Sequence, residues 1–351
     1  MTSDLPSTAN PPWGSGTASG SGVLPGTDVD EAIRTIAGEL TALPFQPDLP
    51  DRGVGADPLG RCVGLLVDLH AEVVPSGWRV TARPGRDVVR ATDFRERDLD
   101  AVERHLAGAP ALKIQVLGPW SLVAGLETRA GHRAVTDAGA VADLMESYGE
   151  GLRRHLAELA RRLPGTDLLV QVDEPALEQV LAGSLPTASG FGTVRSVSAD
   201  VVRQRLDSFA VTLVETNPST VLALTGVRPG TWWPVLQRCG FTRFAAELPD
   251  LERTRSLDVI GEAIGDGAGL LVTVRPSDEP DLVEQTCRRL LAGWRALGFA
   301  EDQLARSVVP VAGTPAGAPA VAKGLRSAVQ VGAALLDPPS SWREGLITPG
   351  R

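Results

Sequence analysis

The sequence contains few cysteines, and their placement argues against several classes of protein. Its three cysteines, Cys62, Cys239 and Cys287, lie far apart and form no CxxC pair. Such a sparse, odd set is not a disulfide framework and is typical of a reducing compartment. No HxC or HxxxH motif occurs in the chain either. The spacing of potential ligands therefore predicts no metal site.

Long apolar segments and an excess of positive charge are also missing. No apolar run approaches the ~20 residues that span a bilayer. The amino terminus lacks the basic region and apolar core of a signal peptide. The formal net charge is −9, whereas general nucleic-acid binding needs clustered lysine and arginine. We therefore expect a cytoplasmic protein that binds neither membranes nor nucleic acid.

Motifs for nucleotide binding and for nucleophilic catalysis are absent as well. No GxGxxG or GxxxxGK[ST] follows a strand-like segment, and no Ser/His/Asp or Cys/His arrangement is indicated. What remains is an ordinary globular composition, with 43% hydrophobic and 22% charged residues. A chain of 351 residues can form one large domain or two ordinary ones.

The pattern along the chain predicts one folded domain between two short terminal segments. Residues 1–16 are rich in Ser, Thr, Pro and Gly, which predicts a disordered leader. Residues 17–338 alternate strand-like and helix-like segments, and residues 339–351 are expected to form a tail.

Eight segments of this domain have the composition of strands, and each is followed by at least one helix-like segment. The predicted strands are 17–23, 78–82, 111–116, 168–172, 220–225, 241–248, 270–274 and 308–311. Eight βα units within ~300 residues are typical of a (β/α)8 TIM barrel. A doubly wound open sheet is the alternative that the strand count leaves open.

The most informative stretch is the predicted strand 168–172 and the residues that follow it. This continuous apolar run favours a strand buried on both faces, as in parallel sheets. It ends in Asp173 and Glu174, and Pro175 then stops the strand because proline cannot donate a ladder hydrogen bond. The two carboxylates therefore lie at the carboxyl end of a buried strand, where α/β folds place their chemistry.

Other residues are expected to join these carboxylates at the barrel mouth. An acidic cluster there can act as a general base or hold a substrate ammonium group; the structural alternative is that Asp173 caps the next helix while Glu174 is solvated. His132, in a Gly-rich loop before a long helix, is a further candidate for ligand contact. The predicted catalytic residues are Asp173, Glu174 and Arg275, and the predicted substrate-binding residues are Asp57, Gly118, Trp120, His132, Gln171, Asp173 and Glu247.

The heptapeptide QVDEPAL, residues 171–177, resembles the strand-end motif of the cobalamin-independent methionine synthases, in their C-terminal catalytic barrel. Three further segments support the resemblance: GVLPGT at 22–27 and LGP at 117–119 are similar to the first- and third-strand motifs, and GHRAV at 131–135 to a short, single-barrel actinobacterial-type subgroup. The resemblance implies a TIM barrel, a fold shared with uroporphyrinogen decarboxylases. It also implies methyl transfer from a methyl-folate to the thiol of homocysteine.

In that family a zinc ion binds and ionises the thiol, and the residue equivalent to Asp173 binds the substrate amino group. The family's zinc ligands are a His-x-Cys after the fifth strand, a Glu after the sixth and a Cys after the eighth. Of these, only Glu247 has a counterpart: residues 224–226 are LTG, and Ala312 stands where the cysteine is expected. Arg275 stands where the family has a catalytic histidine. Glu247 alone cannot hold a tetrahedral zinc, so no metal ligand is assigned.

Three hypotheses about function follow from the resemblance and from these departures. The first is a methionine synthase-like S-methyltransferase that acts on homocysteine or a related acceptor without the usual zinc. The second is a non-catalytic or divergent barrel that binds a folate-like or amino-acid ligand. The third is decarboxylase-like acid/base chemistry at Asp173. In each case we expect the partners to be small molecules.

Overall fold

The structure is a computed structural model that describes residues 11–215, 217–275, 280–339 and 342, without the side chain of Pro280. Its main sheet has seven parallel strands in the order β1-β10-β9-β8-β7-β6-β4. These strands are β1 (Ser19–Gly20), β4 (Ala111–Leu117), β6 (Asp167–Asp173), β7 (Val221–Thr225), β8 (Arg243–Glu247), β9 (Gly269–Val274) and β10 (Val308–Ala312). A second sheet contains β2 (His70–Val74), β3 (Gly77–Thr81) and β5 (Leu126–Glu127).

Helices connect the strands of the main sheet. They are α1 (Val29–Glu39), α2 (Pro58–Val63), α3 (Arg86–Leu106), α4 (Pro119–Gly125), α5 (Ala138–Arg162), α6 (Leu177–Ala182), α7 (Ala199–Glu215), α8 (Trp233–Leu236), α9 (Thr254–Gly265), α10 (Pro280–Ala296), α11 (Leu304–Ser307) and α12 (Pro319–Leu336). Among the residues that the structure describes, none of these helices has the length and hydrophobicity to cross a membrane.

The sheet curls into a nearly closed barrel whose two edge strands, β1 and β4, are joined by residues 44–48. On one side the Lys113 N–H donates to the Pro44 carbonyl (2.8 Å) and the Gln46 N–H to the Lys113 carbonyl (2.9 Å). On the other side the Asp48 N–H donates to the Gly22 carbonyl at 2.9 Å. Prolines at 44, 47 and 50 lack the N–H groups that a continuous ladder needs, so only isolated bridges form.

The prediction of a TIM-like barrel is confirmed, but the count of eight barrel strands is wrong. Seven of the predicted strands lie in the parallel sheet. The eighth, 78–82, corresponds to β3, which pairs antiparallel with β2 outside the barrel. The sequence pattern also predicts a helix from about residue 59 to residue 73, and this is wrong, because α2 ends at Val63 and β2 begins at His70. Alternating hydrophobicity indicates a half-buried strand but does not identify the sheet to which it belongs.

Side chains that point into the barrel form a separate apolar cluster below its mouth. The cluster contains Trp13, Leu43, Ala111, Leu169, Val221, Ala223, Leu271, Val309 and Val311. Trp13 belongs to the segment that the sequence assigned to the leader, yet only 5% of it is exposed, and the Arg243 guanidinium lies 5.3 Å from its ring. The packed structure therefore extends beyond the predicted boundary at residue 16; residues 1–10 lie outside the described residues.

Candidate functional site

The inner face of strand β6 carries an apolar side chain followed by two polar ones. Leu169 belongs to the cluster inside the barrel, and the period of two places Gln171 and Asp173 on the same face. The residues between them, Val170 and Val172, belong to the core between sheet and helices. The sequence of β6 therefore directs two polar side chains towards the barrel mouth.

A buried lysine on the neighbouring strand begins a polar chain that ends at Asp173. The Lys113 ammonium group donates to Gln115 Oε1 and Gln171 Oε1, both at 2.9 Å, and lies 5.5 Å from the Phe45 ring centroid. Gln171 Nε2 in turn donates to Asp173 Oδ1 at 2.8 Å. Burial lowers the pKa of Lys113 to about 8, although the charge of Asp173 acts in the opposite direction.

Asp173 is held on one of its two carboxyl oxygens. The Thr225 hydroxyl and the Gln171 amide both donate to Oδ1, so among the described contacts Oδ2 is left for a ligand. Burial raises the pKa of Asp173, whereas Thr225, Gln171 and the charge of Lys113 lower it. Asp173 is thus a fixed carboxyl group whose ionised form is stabilised by a cation one layer deeper in the barrel.

Two cavities open beside this polar chain. The mouth cavity, of about 330 Å³, lies at the carboxyl ends of the strands and is lined in part by Ser21, Gln171, Thr225, Glu247, Thr273 and Val311. The lateral cavity, of about 150 Å³, is lined by residues that include Gln46, Leu65, Phe94, Gln115 and Asp173. Asp173 lines the lateral cavity and Gln171 the mouth cavity, so the polar chain separates the two.

Glu174 points away from both cavities and caps a helix. Its carboxylate accepts hydrogen bonds from the Trp120 N–H (2.9 Å), the Ser121 N–H (2.8 Å) and the Ser121 hydroxyl (2.6 Å) at the first turn of α4. A Cβ atom at Gly118 would lie only 2.2 Å from Glu174 Cδ, which explains the glycine there. Burial raises the pKa of Glu174 to about 7 against the effect of these donors. Glu174, Gly118 and Trp120 therefore join β6 to α4 rather than lining a cavity.

The remaining predicted site residues lie in different places. Asp57 caps α2, where Oδ1 accepts from the Gly60 N–H and from Trp78 Nε1. His132 is exposed, and its backbone carbonyl accepts from the Thr128 N–H. Arg275 is exposed just after β9. Glu247 lines the mouth cavity. Of the predicted residues, Gln171 and Glu247 line the mouth cavity and Asp173 lines the lateral cavity, whereas the others lie outside both.

The residues at the mouth do not fit the zinc ion that the resemblance implies. Within the described ranges, no three His, Cys, Asp or Glu side chains are grouped so that they could hold a metal ion. The three cysteines are buried in the core, and burial raises the pKa of each thiol to about 12. Zinc needs thiolate, imidazole or carboxylate ligands in a tetrahedral set, whereas the described lining of the mouth cavity offers only the carboxylates of Glu247 and Asp250 and contains no His or Cys.

Several polar residues of the site escaped the sequence analysis, and three of them show what the sequence could and could not signal. Lys113 and Gln115 lie two residues apart in the otherwise apolar segment ALKIQVL of β4, and Gln46 lies in the proline-rich connection. The signal for the first two was present, because polar residues at i and i+2 of a buried strand share one face. Gln46 gave no such signal, since its segment has no strand periodicity.

No family model matches the chain, and no curated protein matches it in sequence. Among solved structures, a B12-independent methionine synthase from Shewanella sp. W3-18-1 in complex with selenomethionine is similar, with a TM-score of 0.55 and 14% identity over 92% of this chain and 98% of that chain. A β-mannanase from the blue mussel Mytilus edulis has a TM-score of 0.45 and 8% identity over 89% of this chain and 91% of that chain. At these identities the similarity concerns the fold, and the chain shares the α/β barrel fold of the methionine synthase structure.

Proposed function

We propose that the chain is an enzyme of the methionine synthase-like barrel type that binds an amino-acid substrate by its ammonium group at Asp173. The observation that carries the proposal is the arrangement of this carboxyl group. Oδ1 is held by Thr225 and Gln171, which leaves Oδ2 to accept from a ligand at the end of the barrel strand where TIM barrels bind substrate. The barrel fold shared with a methionine synthase is consistent with this proposal.

The proposed reaction is methyl transfer from a methyl-folate to homocysteine or to a related acceptor. The mouth cavity would receive the methyl donor, since Gln171, Thr225 and Glu247 line it with hydrogen-bonding side chains, and the acceptor would lie at Asp173 in the adjoining lateral cavity. The donor set at the mouth does not fit zinc, so the proposal includes no metal-bound thiolate. Asp173 acts by orienting the acceptor, because a charge-assisted hydrogen bond to a fixed carboxylate restricts the position of the ammonium group.

Binding can be tested by titration calorimetry with L-homocysteine and L-methionine. Asp173→Asn keeps the size of the side chain and removes its charge, and should weaken binding about 10- to 100-fold, as expected for one hydrogen bond to a charged group. Asp167→Asn is the matched control: the same substitution at the opposite end of β6, where Asp167 accepts from the Ser219 hydroxyl (3.0 Å). Unchanged affinity in Asp173→Asn would remove Asp173 from the binding site.

A non-catalytic barrel that binds the same class of ligand is the second candidate. In its favour, the described residues contain no group of three or more His, Cys, Asp or Glu side chains that could hold a metal ion to activate a thiol. Incubation of the protein with 5-methyltetrahydropteroylpolyglutamate and homocysteine, with and without added zinc, separates the two candidates. Methionine formed at a rate above that of the Asp173→Asn variant supports the enzyme; ligand binding without any methionine supports the non-catalytic barrel.

A further inference from the structure

The lateral cavity is a second space beside Asp173, distinct from the mouth of the barrel. It lies between α2, α3 and the ends of β4 and β6, and its volume is about 150 Å³. An apolar cavity of this size can hold a benzene molecule, which corresponds to roughly six non-hydrogen atoms. The cavity is therefore large enough for the side chain of a small amine or amino acid.

One part of the lateral cavity presents hydrogen-bond acceptors without matching donors. Gln46 is 2% exposed, and its Oε1 atom has no hydrogen-bond partner among the described residues. The Gln46 backbone is fixed on both sides, because its N–H donates to the Lys113 carbonyl and its carbonyl accepts from Gln115 Nε2 at 2.8 Å. A buried acceptor without a donor is unfavourable, and together with Asp173 Oδ2 it calls for a ligand rich in N–H groups.

The positively charged groups around the cavity already have carboxylate partners, as Arg95 has in Glu96 (2.8 Å). Arg61 forms an ion pair with Asp48, and Arg52 makes two hydrogen bonds to Asp98, at 2.6 and 2.9 Å. Because these positive groups are neutralised by carboxylates of the protein, they do not call for an anionic ligand. The carboxyl group of Asp173 also faces the cavity; Lys113 and Arg61 favour its ionised form through their charges, and its Oδ2 atom is left to accept from a cationic donor.

Apart from these charged groups and His155, the lateral cavity is lined mainly by apolar side chains. Leu65 follows α2, Ala91 and Phe94 lie on α3, and Ile114 and Val116 lie on the outer face of β4. The hydroxyl of Tyr148, which also lines the cavity, donates to the Leu117 carbonyl and accepts from the Cys62 thiol, so it offers no free donor to a ligand. Such a wall stabilises an alkyl or thioether chain and disfavours a charged or hydroxylated one.

We propose that the lateral cavity is the side-chain subsite of a primary amine or amino acid with an apolar side chain of four to six non-hydrogen atoms, whose ammonium group is held jointly by Asp173 and Gln46. This inference rests on the proposed function in one respect, the binding of the ammonium group by Asp173. It adds a specificity for linear apolar side chains, and Gln46 as a ligand-binding residue.

The size preference can be measured by calorimetry with L-alanine, L-norleucine, ethylamine and n-butylamine. Norleucine has three more methylene groups than alanine, and each buried methylene increases affinity about fourfold, so norleucine should bind roughly sixtyfold more tightly. The two amines have no carboxylate and test the cavity apart from amino-acid recognition; n-butylamine should bind more tightly than ethylamine. Gln46→Leu should weaken the binding of all four ligands.

A cavity-filling variant tests the location of the subsite. Leu65→Phe places a larger side chain in the lateral cavity and should reduce norleucine affinity at least tenfold while changing alanine affinity less than twofold. Leu66→Phe is the matched control, the same substitution at the next residue, which does not line this cavity. Thermal melting of both variants verifies that they fold.

The outcomes separate the inference from the proposed function. If norleucine binding does not depend on Asp173, the proposed function fails. If binding depends on Asp173 but alanine and norleucine bind equally, or if Leu65→Phe has no more effect than Leu66→Phe, the side-chain subsite is overturned and the proposed function stands. If none of the amines or amino acids binds, both are overturned.

Discussion

The buried ammonium group of Lys113 should be visible in the pH dependence of stability. The side chain is fully buried, and burial lowers its pKa from 10.5 to about 8. Between these two pH values the unfolded chain holds the proton and the folded chain does not, so folding becomes more favourable as the pH rises. At about 1.4 kcal/mol per pH unit, the gain in the free energy of unfolding amounts to about 3 kcal/mol by pH 10.5.

The informative comparison is between the wild type and Lys113→Met. The substitution removes the cost of a buried charge, but it leaves Gln115 Oε1 and Gln171 Oε1 without their donor, at about 1–3 kcal/mol each. These effects oppose each other, so the stability difference at pH 7 does not identify the charge. The change of this stability difference with pH does identify the charge, because the methionine side chain has no proton to lose.

Other groups titrate in the same pH range, and their contribution to the pH dependence of stability must be removed from the comparison. Burial raises the pKa of the three cysteine thiols to about 12, so their ionisation in the unfolded chain destabilises the folded protein above pH 9. The wild type and the variant share this effect, and it disappears from their difference. Lys323→Met, the same substitution at the only other lysine, controls for the loss of an amine elsewhere.

Urea denaturation at pH 7, 8, 9, 10 and 10.5 gives the free energy of unfolding of each protein. We expect the wild type to gain about 3 kcal/mol relative to Lys113→Met over this range. A difference that stays constant with pH would refute the reasoning, because it would mean that Lys113 has the same pKa in the folded and unfolded chain.

Two further substitutions test the packing on which the site depends. Gly22→Ala would place a Cβ atom 2.0 Å from Gln115 Cδ, whereas a Cβ atom at Gly26, also at positive φ, would have no atom within 4 Å. We therefore expect Gly22→Ala to lower the free energy of unfolding, measured by urea denaturation, by about 1–3 kcal/mol more than Gly26→Ala does. Equal losses in the two variants would contradict the clash with Gln115. Trp13→Ala should lower the free energy of unfolding by about 3–5 kcal/mol. Trp13→Phe should lower it by less, because an aromatic ring remains beside Arg243. A negligible loss in Trp13→Ala would show that residues 11–16 contribute little to the stability of the barrel.

Most of the barrel could be predicted because its strands are apolar and buried on both faces. Segments such as 168–172 and 270–274 differ clearly from the helices around them, and proline or glycine marks their ends. The exceptions are instructive. Residues 44–48 join the edges of the sheet through four backbone hydrogen bonds, but a proline-rich segment has no strand pattern. Trp13 lies in a stretch of leader-like composition, and composition does not show that one aromatic ring fills the end of a barrel.

The site was less predictable than the fold because adjacent residues of a strand face opposite sides. Asp173 and Glu174 read as a pair in the sequence, yet the pleat directs Asp173 into the barrel and Glu174 towards the first turn of α4. The same alternation should have drawn attention to Lys113 and Gln115. The residues that contact Asp173 come from β6 and β7, so their proximity depends on the register between parallel strands, which a single sequence does not specify.

The position of Lys113 connects the interior of the barrel to the proposed binding of a cation. A carboxyl group at Asp173 that loses water on burial would favour its neutral form, and a neutral acid binds an ammonium group poorly. Lys113, linked to it through Gln171, lowers the pKa of Asp173 without occupying Oδ2. Because the lysine lies a layer deeper, its charge stabilises the carboxylate while the Gln171 amide separates it from the ligand. The layer of side chains that merely fills an ordinary barrel thus contributes, with the hydrogen bonds from Thr225 and Gln171, to the ionised form of the group at its mouth.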